Sequence, residues 1–292
     1  QHLATAHWLY EVCPEEFRLK ILKAVGFAPF RKACKDGDLD GAKSWYHKLF
    51  SEQQQSQMLH ANGDYVFRWA CKNGHLATAK WLYGLCLDEN KKSKMLHTKN
   101  YQAFRLACKS RKLETAKWLY EEVCRENERS EMLHANNDYT FQGVCNNGHL
   151  KTAKWLYGLC SDDTEKSKML HADDDYAFRK AFENGHLETA KWLYGLCPDD
   201  STKAELLHAD DGHAFRRSCE NGHLETAKWL YGLCSVERKS RMLHAKDYKG
   251  TAFLRACQRD RIDTAEWLYE VCPENEKAKM LHADDDYAFR WA

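Results

Sequence analysis

The sequence predicts an all-α repeat fold, and three observations support this prediction. A segment reading DYAFRKAFENGHLETAKWLYGLC, residues 175–197, recurs along the chain in close copies. The tryptophan in its second half returns at steps of about 37 residues, a period that is typical of stacked repeat arrays. The apolar residues within each copy follow helical rather than alternating spacing. We therefore expect an elongated α-solenoid.

The chain contains about seven full repeats, with half repeats at both ends. The repeated tryptophans are Trp8, Trp81, Trp118, Trp155, Trp192, Trp229 and Trp267, and Ser44 occupies the one missing place. Residues 1–13 match the second half of a repeat, and residues 287–292 match the opening of another. Terminal repeats of a solenoid normally carry polar caps, which neither end shows. We expect residues 1–292 to form a single array that is part of a longer protein.

The first helix of each repeat is short and has one apolar face. In the repeat that contains residues 65–71, Phe67 and Cys71 lie on this face, while Arg68 and Trp69 are expected to point away from it. Because such a helix is too short to stand alone, its apolar face must pack on neighbouring helices.

A glycine follows the first helix in most repeats. Gly74 is an example, and we expect it to end the helix in the left-handed conformation. Arg111 and Asp260 replace this glycine in two repeats. These two positions are predicted to be strained, because a side chain disfavours positive φ.

The second helix, residues 75–86 in the same repeat, is apolar on two nearly opposite sides. Leu82 lies on one side and Trp81 on the other. A third short helix, residues 161–172 in a later repeat, carries Met169 near its end and is expected to cover the tryptophan row. The strip left for solvent carries pairs at i,i+3 spacing, namely Glu114–Lys117, Glu188–Lys191 and Glu225–Lys228.

Composition excludes several classes of function. The chain has 44 basic and 43 acidic residues, whereas a nucleic-acid-binding protein needs a net basic face. No apolar run approaches membrane-spanning length, so no membrane partner is expected. Thirteen cysteines, an odd number, fit a disulfide framework poorly. We expect free thiols and a reducing, cytoplasmic location, which could be the cytosol of a host cell.

The repeated motif resembles the ankyrin repeat, whose pattern is TPLHxAxxxGHxxxVxxLL over about 33 residues. Residues 176–181, YAFRKA, stand where TPLHxA would, and residues 184–193, NGHLETAKWL, stand where xGHxxxVxxLL would. The Gly-His-Leu junction matches at Gly74, Gly148, Gly185 and Gly222. Each repeat is about four residues longer, Arg replaces the motif His, and the third helix stands in place of the β-hairpin finger. A helical solenoid of the tetratricopeptide kind fits the spacing less well.

The resemblance implies a protein-interaction scaffold that is not an enzyme, needs no cofactor and binds a protein partner through a concave face. Two alternatives remain open at this stage. The array could be a structural spacer or a rod that associates end to end through its uncapped repeats. It could also be the targeting arm of an enzyme whose catalytic domain lies outside this segment.

The candidate chemical sites all have simpler explanations. Cys160 and His171 lie too far apart for the paired ligand doublets of zinc sites. Combinations of Ser, His and Asp recur along the repeats, whereas an active site needs one convergent pocket. The acidic turn at residues 173–175 lacks the ligand spacing of a calcium loop and is expected to be solvated. We therefore predict no catalytic residue and no metal site.

Two rows of first-helix positions are the candidates for partner binding. The first is a row of arginines, Arg31, Arg68, Arg105, Arg179, Arg216 and Arg290, which either binds acidic groups or pairs with the acidic turns. The second is the next residue in each repeat, which varies freely: Lys32, Trp69, Leu106, Gly143, Lys180, Arg217, Arg255 and Trp291. The predicted contacts are Lys32, Trp69, Leu106, Lys180, Arg217 and Arg255, with Arg68 and Arg105. Trp69 and Leu106 are expected to anchor the partner.

Overall fold

The computed structural model describes residues 8, 12–14, 27–49, 52–208, 212–245, 251–283, 288 and 290. The chain divides into two compact parts, which we call the N-terminal half (residues 1–136) and the C-terminal half (residues 137–292). All regular structure in the described residues is helical, which confirms the predicted all-α repeat fold. None of these helices is both long and apolar enough to cross a membrane.

In chain order, the first nine helices are α1 (Ala28–Asp36), α2 (Leu39–Leu49), α3 (Glu52–Asn73), α4 (Leu76–Gly84), α5 (Glu89–Lys109), α6 (Leu113–Trp118), α7 (Arg129–Leu133), α8 (Ala135–Asn146) and α9 (Leu150–Gly158). The next nine are α10 (Asp163–Glu183), α11 (Leu187–Gly195), α12 (Asp200–His208), α13 (His213–Glu220), α14 (Leu224–Gly232), α15 (Val236–His244), α16 (Ala252–Gln258), α17 (Ile262–Val271) and α18 (Glu274–Leu281). A π-helical turn follows α6 at Leu119–Val123, and a 3-10 turn precedes α7 at Glu126–Glu128.

First helices stack on one another within each half. In the N-terminal half α1 packs on α3 and α3 on α5, while in the C-terminal half α10 packs on α13 and α13 on α16. Each second helix packs on the first helix of its own repeat, as α4 does on α3 and α14 on α13. The core of the stack is a row of phenylalanines that are at most 6% exposed: Phe30, Phe67, Phe104, Phe141, Phe178, Phe215 and Phe253.

The third helix of one repeat runs almost directly into the first helix of the next. Three successive left-handed residues separate the two helices within α3, at Asn62, Gly63 and Asp64, with φ values between 53° and 64°. The same turn occurs within α5 at residues 99–101 and within α10 at residues 173–175. Asn, Asp and Gly tolerate this conformation better than other residues, which explains the composition of the turns at residues 62–64 and 173–175, whereas Lys99 and Tyr101 adopt it without that advantage.

The glycine prediction is confirmed. Gly74 and Gly185 follow their first helices with φ values of 78° and 72°. Arg111 and Asp260, which replace the glycine, adopt φ values of 61° and 56° and therefore carry the predicted strain.

The tryptophan row is covered in a way that the sequence did not indicate. Trp118 is 6% exposed, but Trp81, Trp192 and Trp229 are half-buried. Their ring contacts are with the preceding repeat: Trp192, for example, lies 6.3 Å from Phe141 and 5.7 Å from Tyr157 between ring centroids. From the sequence we expect the methionine-bearing third helix to provide this cover. The tryptophan instead ties its second helix to the previous repeat.

Candidate functional site

Arg68 was predicted to point away from the repeat, but its side chain folds back onto the left-handed turn that precedes its helix. Two carbonyl groups of that turn accept hydrogen bonds from it. Its Nε donates to the carbonyl oxygen of Gly63 at 2.6 Å, and its Nη2 donates to that of Asn62 at 2.8 Å. Its Nη1 donates to the side chain of Gln102 in the next repeat. Arg68 is 5% exposed, and this burial lowers the pKa of its guanidinium, against the opposing charge of Asp64. This arginine therefore holds the turn in shape.

Arg105 and Arg179 make the same kind of hydrogen bond to the carbonyl groups of their turns, one in each half. We call this arrangement the turn clamp. Arg105 donates to the carbonyl oxygens of Asn100 and Lys99 at 2.7 and 2.8 Å. Arg179 donates to the carbonyl oxygen of Asp173 at 3.0 Å. The sequence suggested that this row binds either a partner or the acidic turns. For Arg68, Arg105 and Arg179 the turns are the partners, through backbone carbonyl groups rather than carboxylates.

The last aspartate of two of these turns contacts side chains around the turn. Asp64 is 6% exposed and lies 2.7 Å from Nδ1 of His60, while its other oxygen accepts from the Thr98 hydroxyl of the next repeat at 2.6 Å. Asp175 lies 2.6 Å from Nδ1 of His171 in the corresponding arrangement. These carboxylates satisfy polar groups around the turn. In the turn at residues 173–175, which was predicted to be solvated, Asp173 and Asp174 are exposed and Asp175 is half-buried.

Trp69 lies on the surface of the N-terminal half between two lysines. The ammonium of Lys72 lies 4.2 Å from the ring centroid and that of Lys35, in the preceding repeat, lies 4.9 Å away. The ring of Tyr65 is 5.6 Å from that of Trp69. Both cations are within the range of cation–π attraction, so the half-buried indole is held in place while part of it stays exposed.

An open depression of about 510 Å³ adjoins this tryptophan. It is lined by Arg31, Lys32, Lys35, Asp36, Asn62 and Tyr65. Lys32 pairs with Asp36 at 2.5 Å, and both side chains remain substantially exposed. The depression and the two lysines over Trp69 define what we call the Trp69 surface. Leu106, the next residue of the same row, is half-buried.

A second row of residues in the sequence also indicates this surface. The residue three positions after the variable one is lysine in the first three full repeats and glutamate in two later ones: Lys35, Lys72, Lys109, Asn146, Glu183, Glu220 and Gln258. Residues three apart are neighbours on a helix. The residue in this row therefore determines which charge lies beside the variable residue.

In the C-terminal half the variable residues are joined in an ion-pair network. Glu183 contacts Lys180 of its own helix and accepts from Arg217 of the next repeat at 2.6 Å. Glu220 in turn contacts Arg217 at 2.7 Å and Arg255 of the following repeat at 3.0 Å. Three of the predicted partner contacts are thus linked to one another by two glutamates.

Two members of this network are buried, so the network stabilises the contact between repeats rather than forming an exposed surface. Arg255 is 1% exposed and Glu220 is 3% exposed, so neither can meet a partner without rearrangement. Desolvation raises the pKa of Glu183, but hydrogen bonds from Lys180 and Arg217 outweigh it and hold that pKa below its ordinary value. The carboxylate therefore stays ionised at neutral pH. A buried charge of this kind is retained only because it is paired.

All thirteen cysteines are free thiols in the structure, and eleven of them are buried. Burial raises the pKa of Cys197 to about 11 and that of Cys34 to about 12. Such thiols are protonated at neutral pH and are poor nucleophiles. They serve as small apolar groups in the core, as the sequence predicted.

Comparison with known proteins gives one structural likeness. No family model matches the chain, and no curated protein matches it in sequence. A crystal structure of an ankyrin repeat family protein from Legionella pneumophila is similar to it over 79% of each chain, with 18% identity and a TM-score of 0.35. The fold described above therefore rests on the helices and contacts of this chain itself.

Proposed function

We propose that the chain is a protein-interaction scaffold that binds its partner through the Trp69 surface. The observation that carries this proposal is the half-buried indole of Trp69, held between Lys35 and Lys72 beside an open depression. Tryptophan is enriched among the residues that dominate binding energy, particularly where a neighbouring pocket can take a side chain of the partner.

The charge of the surface indicates the chemistry of the partner. Arg31, Lys32, Lys35 and Lys72 surround the depression and the indole, and Asp36 is the one acidic residue lining it. A partner segment with clustered Asp or Glu side chains would match this potential, and an apolar side chain would pack on Trp69. We therefore propose an acidic segment that carries an apolar anchor.

Of the predicted contacts, Trp69 and Leu106 remain in this proposal, while Lys32 lines the depression but pairs with Asp36 at 2.5 Å. Arg68 and Arg105 are used by the turns, since each donates two hydrogen bonds to turn carbonyls. Lys180, Arg217 and Arg255 belong to the ion-pair network of the C-terminal half. Trp291 lies outside the described residues.

Selection from a displayed peptide library tests both the binding and its chemistry. The library is selected on the unchanged protein without prior depletion, and the affinities of the selected peptides for this protein and for the Trp69→Ala variant are measured by fluorescence polarisation. We expect acidic peptides with an apolar residue to be enriched and to bind the variant at least about tenfold more weakly. Lys180→Ala, which alters the same row in the other half, is the matched control and should leave the affinity unchanged.

Two outcomes would contradict the proposal. Peptides that bind the unchanged protein and Trp69→Ala equally well, with the fold of the variant intact by circular dichroism, would place the interface elsewhere. Peptides that depend on Trp69 but lack acidic residues would keep the surface and refute the proposed partner chemistry.

A further inference from the structure

A histidine, a cysteine and a glutamate from two successive repeats meet in the C-terminal half. His244 is the last residue of α15, Cys272 follows α17, and Glu276 lies in the first turn of α18. One ligand atom of each, the imidazole nitrogen, the sulfur and a carboxylate oxygen, lies within 4.8 Å of the other two. Nε2 of His244 is 2.5 Å from a carboxylate oxygen of Glu276.

We propose that His244, Cys272 and Glu276 bind one Zn²⁺ ion, with water as the fourth ligand. Zinc takes nitrogen, thiolate sulfur and carboxylate oxygen as ligands in tetrahedral sites, at bond lengths of about 2.0–2.3 Å. Donors at such lengths lie about 3.3–3.8 Å apart, so small side-chain rotations would bring these three around an ion. The mixed set of donors favours zinc over magnesium or calcium, which prefer oxygen alone.

The surroundings permit an ion to enter and to be held. Cys272 is 3% exposed, whereas the side chains of His244 and Glu276 are 29% and 30% exposed. His244 also lines an open cavity of about 510 Å³. The nearest cation on α18, Lys277, pairs with Glu274 at 2.8 Å. The site therefore has a buried sulfur and a solvent-accessible side, which a metal needs to reach it.

The same sequence pattern occurs once more, in the N-terminal half, but its histidine, cysteine and glutamate donors do not lie as close together as those of His244, Cys272 and Glu276. The sequence Cys-x-Glu-Asn-Glu is found at residues 124–128 and at residues 272–276. In the first copy Nε2 of His97 lies 3.8 Å from Glu128, and Nδ1 of His97 lies 2.7 Å from the carbonyl oxygen of Ser93, to which it donates. That hydrogen bond leaves Nε2 as the nitrogen available for a metal, the arrangement that ligating histidines usually show.

Another repeat provides a natural control within the C-terminal half. His171 and Cys197 occupy the positions of His244 and Cys272, but Ser201 stands where Glu276 does. Nδ1 of His171 contacts Asp175 of its own turn at 2.6 Å. This repeat has the same histidine and buried cysteine without the third ligand, and we expect it to bind no zinc.

A bound ion would join adjacent repeats. His244 belongs to one repeat and Cys272 with Glu276 to the next, so the metal would add a cross-link where the described structure shows an ion pair. This proposal is independent of the Trp69 surface, which lies in the other half of the chain. Ligand spacing within one repeat, such as that of Cys160 and His171, does not reveal a site that two repeats build.

The test is a titration of the full chain with Co²⁺ and with Zn²⁺. The background is Cys13→Ser, because Cys13 is a half-exposed thiol that could bind metal adventitiously. We expect the near-ultraviolet absorption of a cobalt–thiolate bond, its displacement by Zn²⁺, and a rise in melting temperature with zinc. Loss of a residue that orients a metal ligand typically weakens metal binding about 10–100-fold. Loss of a ligand itself, in Glu276→Gln or Cys272→Ser, should weaken it at least that much.

The controls decide between the metal site and the ion pair alone. Cys197→Ser should leave the cobalt spectrum and the zinc affinity unchanged. Cys160→Ser separates any second event at His134, Cys160 and Glu165, the other such group among the described residues. Absence of cobalt–thiolate absorption in the unchanged protein would overturn the proposal. So would a cobalt–thiolate absorption that Cys272→Ser leaves undiminished, or a zinc affinity that Glu276→Gln leaves unchanged, with the variants folded by circular dichroism.

Discussion

The first helices of the two halves present the same sequence position in opposite ways. In the N-terminal half Trp69 is flanked by Lys35 and Lys72, and the positive charges face an aromatic ring. In the C-terminal half Arg217 stands in the place of Trp69 and lies between Glu183 and Glu220. One row of residues, three positions further along the helix, produces this difference. A repeat scaffold can thus present a charged, partly apolar surface or an internally neutralised one without altering its core.

The difference also teaches which residues are available to a partner. An ion-paired residue such as Arg255, 1% exposed, contributes to the contact between repeats, and its charge is already compensated. The lysines around Trp69 are attracted to a neutral ring, so their charge remains available to an acidic partner. A variable position therefore indicates a binding surface only when its neighbours do not neutralise it.

The largest expected effect breaks the network of the C-terminal half. Glu220→Gln removes the charge that Arg217 and Arg255 contact and leaves buried Arg255 without that carboxylate. Breaking a buried pair by removing one partner typically costs about 3–5 kcal/mol, which we expect as the decrease in the free energy of unfolding. Chemical denaturation followed by circular dichroism measures it. Glu225→Gln, which alters an exposed pair, is the control and should cost about 0–1 kcal/mol.

If Glu220→Gln proves as mild as its control, the network does not stabilise the repeats. Lys180, Arg217 and Arg255 would then return as candidates for partner binding, and the contrast between the two halves would lose its basis.

The second effect concerns the turn clamp, which both halves share. Arg68→Ala removes three hydrogen bonds and leaves the carbonyl groups of Asn62 and Gly63 without their donor, at a cost of about 2–3 kcal/mol in the free energy of unfolding. Arg68→Gln should restore part of the loss, because Gln142 naturally donates to its own turn at 3.1 Å. Arg179→Ala, which removes one hydrogen bond, should cost less.

Equal losses for Arg68→Ala and Arg179→Ala would show that the number of hydrogen bonds to the turn does not determine its stability. The comparison by thermal and chemical denaturation of the same three variants would reveal this directly.

The third prediction is a pH dependence that the network adds. The pKa of Glu183 is lowered in the folded chain, so its stabilising contribution is fully present above its ordinary value of about 4.5. It is lost as the pH falls further, through the lowered pKa of the folded state. We expect Glu183→Gln to reduce the difference in the free energy of unfolding between pH 7 and pH 3. Glu188→Gln, an exposed residue that pairs with Lys191, should leave that difference nearly unchanged.

An acid sensitivity that is the same in Glu183→Gln and in the unchanged protein would mean that other carboxylates dominate in this range. The lowered pKa would then have no measurable consequence for folding.

The smallest effect on stability comes from converting one half toward the other. Lys72→Glu gives the N-terminal half the residue that the C-terminal half carries in this row, and removes a cation–π contact of about 0.5–1 kcal/mol. Acidic peptides selected on the Trp69 surface should nevertheless bind this variant much more weakly. Lys43→Glu, an exposed charge reversal on α2, is the control for net charge. Equal binding by both variants would show that the local charge does not select the partner.

Much of the fold could be predicted because its determinants are local and repeat. The period of the tryptophans, the spacing of Phe67 and Cys71 on one helical face, and the glycine at position 74 each report a constraint that acts within one repeat. The exposed Glu–Lys pairs are also local: Glu188 and Lys191 lie 3.1 Å apart, as their i,i+3 spacing predicts. Repetition strengthened every one of these signals.

The roles of the polar side chains could not be predicted in the same way. The sequence predicts an exposed side chain for Arg68. Three successive left-handed residues precede its helix, however, and they direct two carbonyl groups toward this arginine. That backbone conformation is determined by the junction of two helices, and it cannot be predicted from any single residue. The cover of Trp192 by Phe141 and Tyr157 likewise comes from a neighbouring repeat.

The sequence by itself therefore determined the helices, the repeat and the apolar core, because helical periodicity and glycine conformation depend on residues close together in the chain. Only the tertiary structure decided which charged residues are available. Glu220 reaches Arg255 across 35 residues, and Lys35 reaches Trp69 across 34. Such pairs form only when one repeat is stacked on the next. Stacking also buries the charged groups, and a buried charge must be paired because burying an unpaired one is costly.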